Sequence, residues 1–132
     1  MDYFKIDGRS YDVIVTGIEE NFNILYSENT GRTMSQGARI VLDPLGTFFG
    51  HKVTVQRKQG HENEFDALYD YISRPRYDGL SVEIAHNQTT IKYDAYVSNG
   101  SRPIQKIAKS NVVYWGELQL NFVPMEAQVI PE

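Results

Sequence analysis

The chain has 132 residues, 41% hydrophobic and 23% charged, with a formal net charge of −4. That is one domain, 1–132, with enough apolar side chain to bury a core, so wholesale disorder is excluded. It has no cysteine, which excludes disulfide and thiolate chemistry, and its acidic balance argues against a basic nucleic-acid-binding surface.

The N-terminus, Met1-Asp2-Tyr3-Phe4-Lys5, does not read as a signal peptide, and no apolar run approaches the roughly 18–20 residues that span a bilayer. Tyr3–Ile6, then Asp7-Gly8, then Arg9–Val15 reads as a β-hairpin, because Asp-Gly supplies the positive φ angles of a two-residue turn. Phe22 and Ile24–Tyr26 form a short strand signal. Ser27 to Gly37 is rich in Asn, Ser and Gly and reads as a long exposed loop. Ala38–Leu42 is a strand signal, Asp43-Pro44-Leu45-Gly46 a turn, and His51–Arg57 a strand with Val53 and Val55 facing inward.

One helix is expected, over 62–74. Phe65, Leu68, Tyr69 and Ile72 fall at i, i+3, i+4 and i+7, a single apolar stripe. Glu62, Glu64 and Asp66 favour the positive end of the helix dipole, Arg74 the negative end, and Pro75 is the stop. Leu80, Val82 and Ile84 then alternate with polar residues, and Thr90–Val97 returns as the hairpin partner across His86-Asn87-Gln88. Ser98–Pro103 is a loop, and Ile104–Ile107 a short amphipathic piece. Val112–Val123 reads as one long strand with a bulge at Gly116, facing Val113, Trp115, Leu118, Leu120 and Phe122 inward. The fold class is mainly β, a β-sandwich or partly closed antiparallel barrel, with one α-helix packed against it.

No catalytic constellation stands out. His51, His61 and His86 lack metal-ligand spacing and read as surface or turn residues, so neither metal nor cofactor is expected. The acidic helix start reads as a solvated face rather than a carboxylate pair. Gly46-x3-Gly50 lacks the Lys-Ser/Thr of a nucleotide loop. Arg102, Lys106 and Lys109, and also Arg57-Lys58, read as solvated basic surface. Tyr69, Tyr71, Tyr77, Tyr93, Tyr96, Tyr114 and Trp115 are more simply core and cross-strand residues than a sugar or peptide groove.

Leu42-Asp43-Pro44-Leu45-Gly46-Thr47-Phe48-Phe49-Gly50-His51-Lys52-Val53-Thr54-Val55 resembles small proteins encoded in the tail modules of phages and prophages of Gram-positive bacteria. Ser73-Arg74-Pro75 after the helix, Tyr114-Trp115-Gly116-Glu117 and Asn121-Phe122-Val123-Pro124-Met125-Glu126 extend the likeness over nearly the whole chain. The layout is also similar to the tail-tube and distal-tail fold. The resemblance implies a structural, non-enzymatic virion protein, a tail-tube, distal-tail or baseplate component assembled in the host cytoplasm. Its partners would be itself, often as a hexameric ring, and other tail proteins, with an acidic channel through which DNA passes without sticking. In that setting Asn29, Thr30, Arg32 and Met34 become a self-assembly loop. The alternative is a β-sandwich carbohydrate-binding module for host attachment, binding through exposed Tyr or Trp.

Overall fold

The computed structural model describes residues 3–28, 31–32 and 37–131. The chain is mainly β, with one helix among the described residues. The strands are β1 (Phe4–Ile6), β2 (Ile14–Tyr26), β3 (Gly31–Arg32), β4 (Ile40–Val41) and β5 (Pro44–Gln56) before the helix α1 (Glu62–Ile72). After it come β6 (Leu80–His86), β7 (Thr89–Tyr96), β8 (Gly100–Ser101), β9 (Ile104–Ile107), β10 (Val113–Trp115) and β11 (Leu118–Pro124).

The main sheet is antiparallel in the order β1-β6-β7-β11-β5-β2, with β8 also on β11. Its inward face carries Val53 and Val55 of β5, Leu80, Val82 and Ile84 of β6, Tyr93 and Ala95 of β7, and Leu118, Leu120 and Phe122 of β11. These residues alternate along each strand, so one face makes a continuous apolar surface. Phe65, Leu68 and Ile72 of α1 join the same core, and Tyr69 packs half-buried against it. The helix thus covers the sheet with the stripe that its spacing predicts. It is shorter than 62–74: the Ser73 N–H bonds the Tyr69 carbonyl and closes the last turn, which leaves Arg74 outside.

The N-terminal hairpin forms only at its turn, where Ile6 and Arg9 exchange both backbone hydrogen bonds at 3.0 Å, and the strand expected over Arg9–Val15 does not extend it. Asp7 and Gly8 make the expected turn, at φ 51° and 81°. But β1 pairs with β6, setting Phe4, Lys5 and Ile6 opposite Ile84, Glu83 and Val82. The Asp7 carboxylate holds this arrangement, accepting from the Ser81 N–H at 2.8 Å and from the Tyr71 hydroxyl. The local signal sets the bend, and long-range pairing with a buried strand supplies the neighbour of β1.

The middle of the chain is more regular than its composition implies. β2 runs for 13 residues and pairs with the equally long β5 from Ile14↔Gln56 to Tyr26↔Pro44. Asp43–Gly46 is not a turn, since β5 begins at Pro44, the first position of a strand, where proline is tolerated. Beyond Tyr26 and Pro44 the hairpin continues outward. Ser27 bonds Asp43 through backbone and side chain, and β3 pairs with β4. This extension is an arm whose described residues are almost all exposed.

The closing strand is also two elements. β10 pairs with β9 as a separate hairpin, and β11 joins the main sheet. The chain breaks at Gly116, whose N–H bonds the Pro103 carbonyl at 2.7 Å. Val113 consequently stays exposed instead of facing the core.

Candidate functional site

Two features of the fold bear on function: a polar cluster inside the curled sheet, and the apolar surface of the arm and of the β9–β10 hairpin.

The cluster is built by register. On β2, Glu20 sits opposite His51 of β5, on the same face as the core side chains. His51 is fully buried, which corrects its reading as a surface residue. Its Nε2 lies 2.9 Å from Glu20 Oε2 and its Nδ1 lies 2.7 Å from the Tyr93 hydroxyl of β7. His86, at the end of β6, places Nδ1 2.6 Å from the same Glu20 oxygen and its ring edge-on to Phe49 at 5.0 Å. An ionised carboxylate only accepts, so both imidazoles donate to Glu20 and the Tyr93 hydroxyl donates to His51. Each of these hydrogen bonds then has one donor and one acceptor.

The electrostatics agree. Burial pushes the His51 ring below its ordinary value, only partly offset by Glu20. For Glu20, burial alone would raise the carboxyl. The hydrogen bonds from His86 and His51 outweigh it and hold Glu20 below the usual range. Burial and the Glu20 charge together push the Tyr93 hydroxyl well up, so it stays protonated. Among the described residues, no group of three or more His, Asp or Glu side chains is arranged to hold a metal ion. The cluster is a self-satisfied polar bridge.

A second polar group is equally enclosed. Arg102 is not solvated surface, because its side chain is only 10% exposed. Its guanidinium lies 3.7 Å from the Tyr69 ring centre and 4.1 Å from that of Trp115, and NH1 bonds Asp66 at 2.9 Å. Arg57 likewise donates to the Trp115 carbonyl and to Gln105, beneath Tyr114. These two arginines fasten the base of the β9–β10 hairpin to the helix and to the end of β5.

Of the loop residues expected to carry self-assembly, Asn29, Thr30 and Met34 lie outside the described residues, and Arg32 is placed in β3 by its backbone. The surface around that stretch is described. Phe22, Leu25 and Tyr26 of β2 are exposed, as are Val41, Leu42 and Leu45 across the hairpin. Within the described sheet β2 pairs only with β5, so its other edge is unpaired over 13 residues. This edge was hidden in the sequence, because a strand with only Ile18 half-buried against the core shows no apolar alternation.

A groove of about 780 Å³ crosses the outward face of the sheet, lined by Glu19, Lys52, Thr54, Gln119 and Asn121 among others. No aromatic ring lines it. The candidate groove aromatics are scattered instead: Tyr93 is in the core, Tyr69 and Trp115 sandwich Arg102, and Tyr77 stands fully exposed.

Comparison with known protein families finds no matching family, and no curated protein matches the chain.

Proposed function

We propose that this chain is a structural protein of a bacteriophage or prophage-derived tail that assembles with copies of itself. The observation that carries the reading is the outer edge of β2. It offers a 13-residue row of backbone donors and acceptors beside exposed Phe22, Ile24, Leu25 and Tyr26. A long apolar edge is a template for pairing with another chain, and folds that work alone blunt such edges with prolines, charges or covering loops. On β2 the strand's outer half, from Asn21 to Tyr26, carries neither a proline nor a charged side chain. The resemblance of the sequence blocks to tail-module proteins supports this kind of assembly. A tube, distal-tail or baseplate role would each use the same edge.

Negative-stain electron microscopy of the concentrated protein, with calorimetry against a panel of bacterial cell-wall sugars, tests this reading. Rings or tubes without heat of sugar binding are expected. Single particles with stoichiometric sugar binding would overturn it in favour of a carbohydrate-binding module.

A further inference from the structure

Residues 97–99 join β7 to β8 without regular structure, and Asn99 is exposed. Gly100 follows it as the first residue of β8. Asn99 is the single asparagine of the sequence that precedes a glycine; the others precede Phe, Ile, Thr, Glu, Gln or Val. Glycine has no Cβ to shield its amide nitrogen, and its backbone turns freely. Packing keeps a glycine here: a Cβ on Gly100 would stand 3.1 Å from Leu120 Cδ2 and 3.3 Å from the Gln119 carbonyl oxygen.

Register decides where the Gly100 N–H points. β8 lies antiparallel on β11, with Gly100 opposite Leu120 and Ser101 opposite Gln119. The closeness of the Gln119 carbonyl to Gly100 puts that carbonyl on the β8 side of β11. Thr54 of β5 lies opposite Gln119 on the other side, and its carbonyl accepts from the Thr16 hydroxyl of β2, so Thr54 turns its backbone away from β11. In an antiparallel ladder, pairs that exchange hydrogen bonds alternate with pairs that do not. Ser101 and Gln119 are therefore a bonded pair, Leu120 turns to β5, and Gly100 aims its N–H away from β11. On that side β8 has no strand partner among the described residues.

We propose that Asn99 is a site of spontaneous modification, closing to a succinimide with the Gly100 nitrogen and reopening as isoaspartate or aspartate. The Gly100 amide loses its proton to hydroxide and its nitrogen bonds Cγ of Asn99. The Cγ–Nδ2 bond breaks, and Nδ2 takes a proton from water and leaves as ammonia. Water then adds to one of the two ring carbonyls and breaks its bond to the nitrogen. Attack at the main-chain carbonyl leaves isoaspartate, and attack at Cγ leaves aspartate. The balance is one water gained and one ammonia lost. The proposal is independent of self-assembly.

The product changes two concave surfaces at once. Asn99 lines the groove of about 780 Å³, whose charged side chains are Glu19 and Lys52. It also lines a cavity of about 340 Å³ beside the C-terminal end of α1, whose charged side chain is Arg74. A carboxylate at position 99 turns the groove from balanced to net negative and sets a negative charge into the cavity that holds Arg74. The isoaspartate form also adds one carbon to the main chain at the entry to β8. The face that the chain presents thus changes as the molecule ages.

The folded chain is incubated in warm, mildly alkaline buffer beside a synthetic peptide of the sequence Tyr93–Lys106. This is also the tryptic fragment, since Arg102 precedes Pro103. Tandem mass spectrometry of the fragment reads the mass gain of an amide becoming an acid, and an isoaspartate-specific methyltransferase reads the rearranged product. Asn99 is expected to disappear at a rate within about tenfold of that in the peptide, because no opening of the fold has to come first. Isoaspartate should accumulate, and the rate should rise with hydroxide. Asn99→Gln, at an exposed position, should leave the fragment intact over the same period. A slower loss in the folded chain than that limit would show that the fold shields the pair, and would overturn the proposal. Aspartate without isoaspartate would mean direct hydrolysis and overturn it too. An undiminished mass gain in the Asn99→Gln variant would place the reaction on another amide.

Discussion

Glu20 Oε2 lies 2.6 Å from Nδ1 of His86, although their strands are separated in the sheet by β7, β11 and β5. That contact is possible only if the sheet curls until its far sides meet. Glu20 is therefore the bridge that ties the exposed strand β2 to the opposite wall, with His51 beneath it.

The bridge makes stability depend on pH. His51 is held below its ordinary value of 6.5 by burial, so the unfolded chain takes up that proton first as pH falls. The unfolded state then binds more protons, and stability drops with falling pH. Glu20 is held below its ordinary 4.5 by the two histidines, against the opposing effect of burial. Its contribution is present above 4.5 and is lost as pH falls through the lower folded value. Urea midpoints should therefore fall from about pH 7.5 to about pH 5.5, and fall again below about pH 4.5. His51→Gln should shrink the first drop. An undiminished first drop in that variant would place its source elsewhere.

Leu68 is fully buried in the middle of the helix stripe, inside the core shared with β5, β6, β7 and β11. Leu68→Ala should cost about 2–5 kcal/mol in denaturant melts, through lost burial and the cavity it leaves. A loss below about 0.5 kcal/mol, the size usual for surface positions, would contradict the placement of the helix.

Arg102 acts through its plane as well as its charge. It lies between Tyr69 and Trp115 and bonds Asp66. Arg102→Ala should destabilise by about 1–3 kcal/mol, counting cation–π attraction and lost packing of the stem. Arg102→Lys should recover less than half of that, because an ammonium does not stack. Full recovery by Lys, measured by thermal melts of the three chains, would show that charge alone suffices.

The parts of the fold that were legible in the sequence are those with one buried face. The alternation of Val53 and Val55, and of Leu80, Val82 and Ile84, and the helix stripe Phe65–Ile72 all carry the period of their element because one side meets the core. On β2 only Ile18 is half-buried, so Ile14 and Val15 read as the end of the N-terminal hairpin and only Phe22 and Ile24–Tyr26 as a short strand. The partner of β1 was misassigned because an Asp-Gly turn specifies a bend and not which strand lies beside it. Pro44 reads as a turn residue wherever its neighbours are unknown, yet it opens β5. The candidate sites divide the same way. The burial of His51 depends on Glu20, Tyr93 and His86, which lie 31, 42 and 35 positions away in sequence. The enclosure of Arg102 needs two aromatics from separate elements. No local pattern encodes either.

Self-assembly is the central claim, and the mass of the unmodified chain across a concentration series tests it most directly. Sedimentation equilibrium at neutral pH, where the Glu20 bridge is intact, should give 15.1 kDa at the dilute end and rise through whole multiples as concentration increases. A mass that stays at 15.1 kDa from micromolar to millimolar protein would contradict the account.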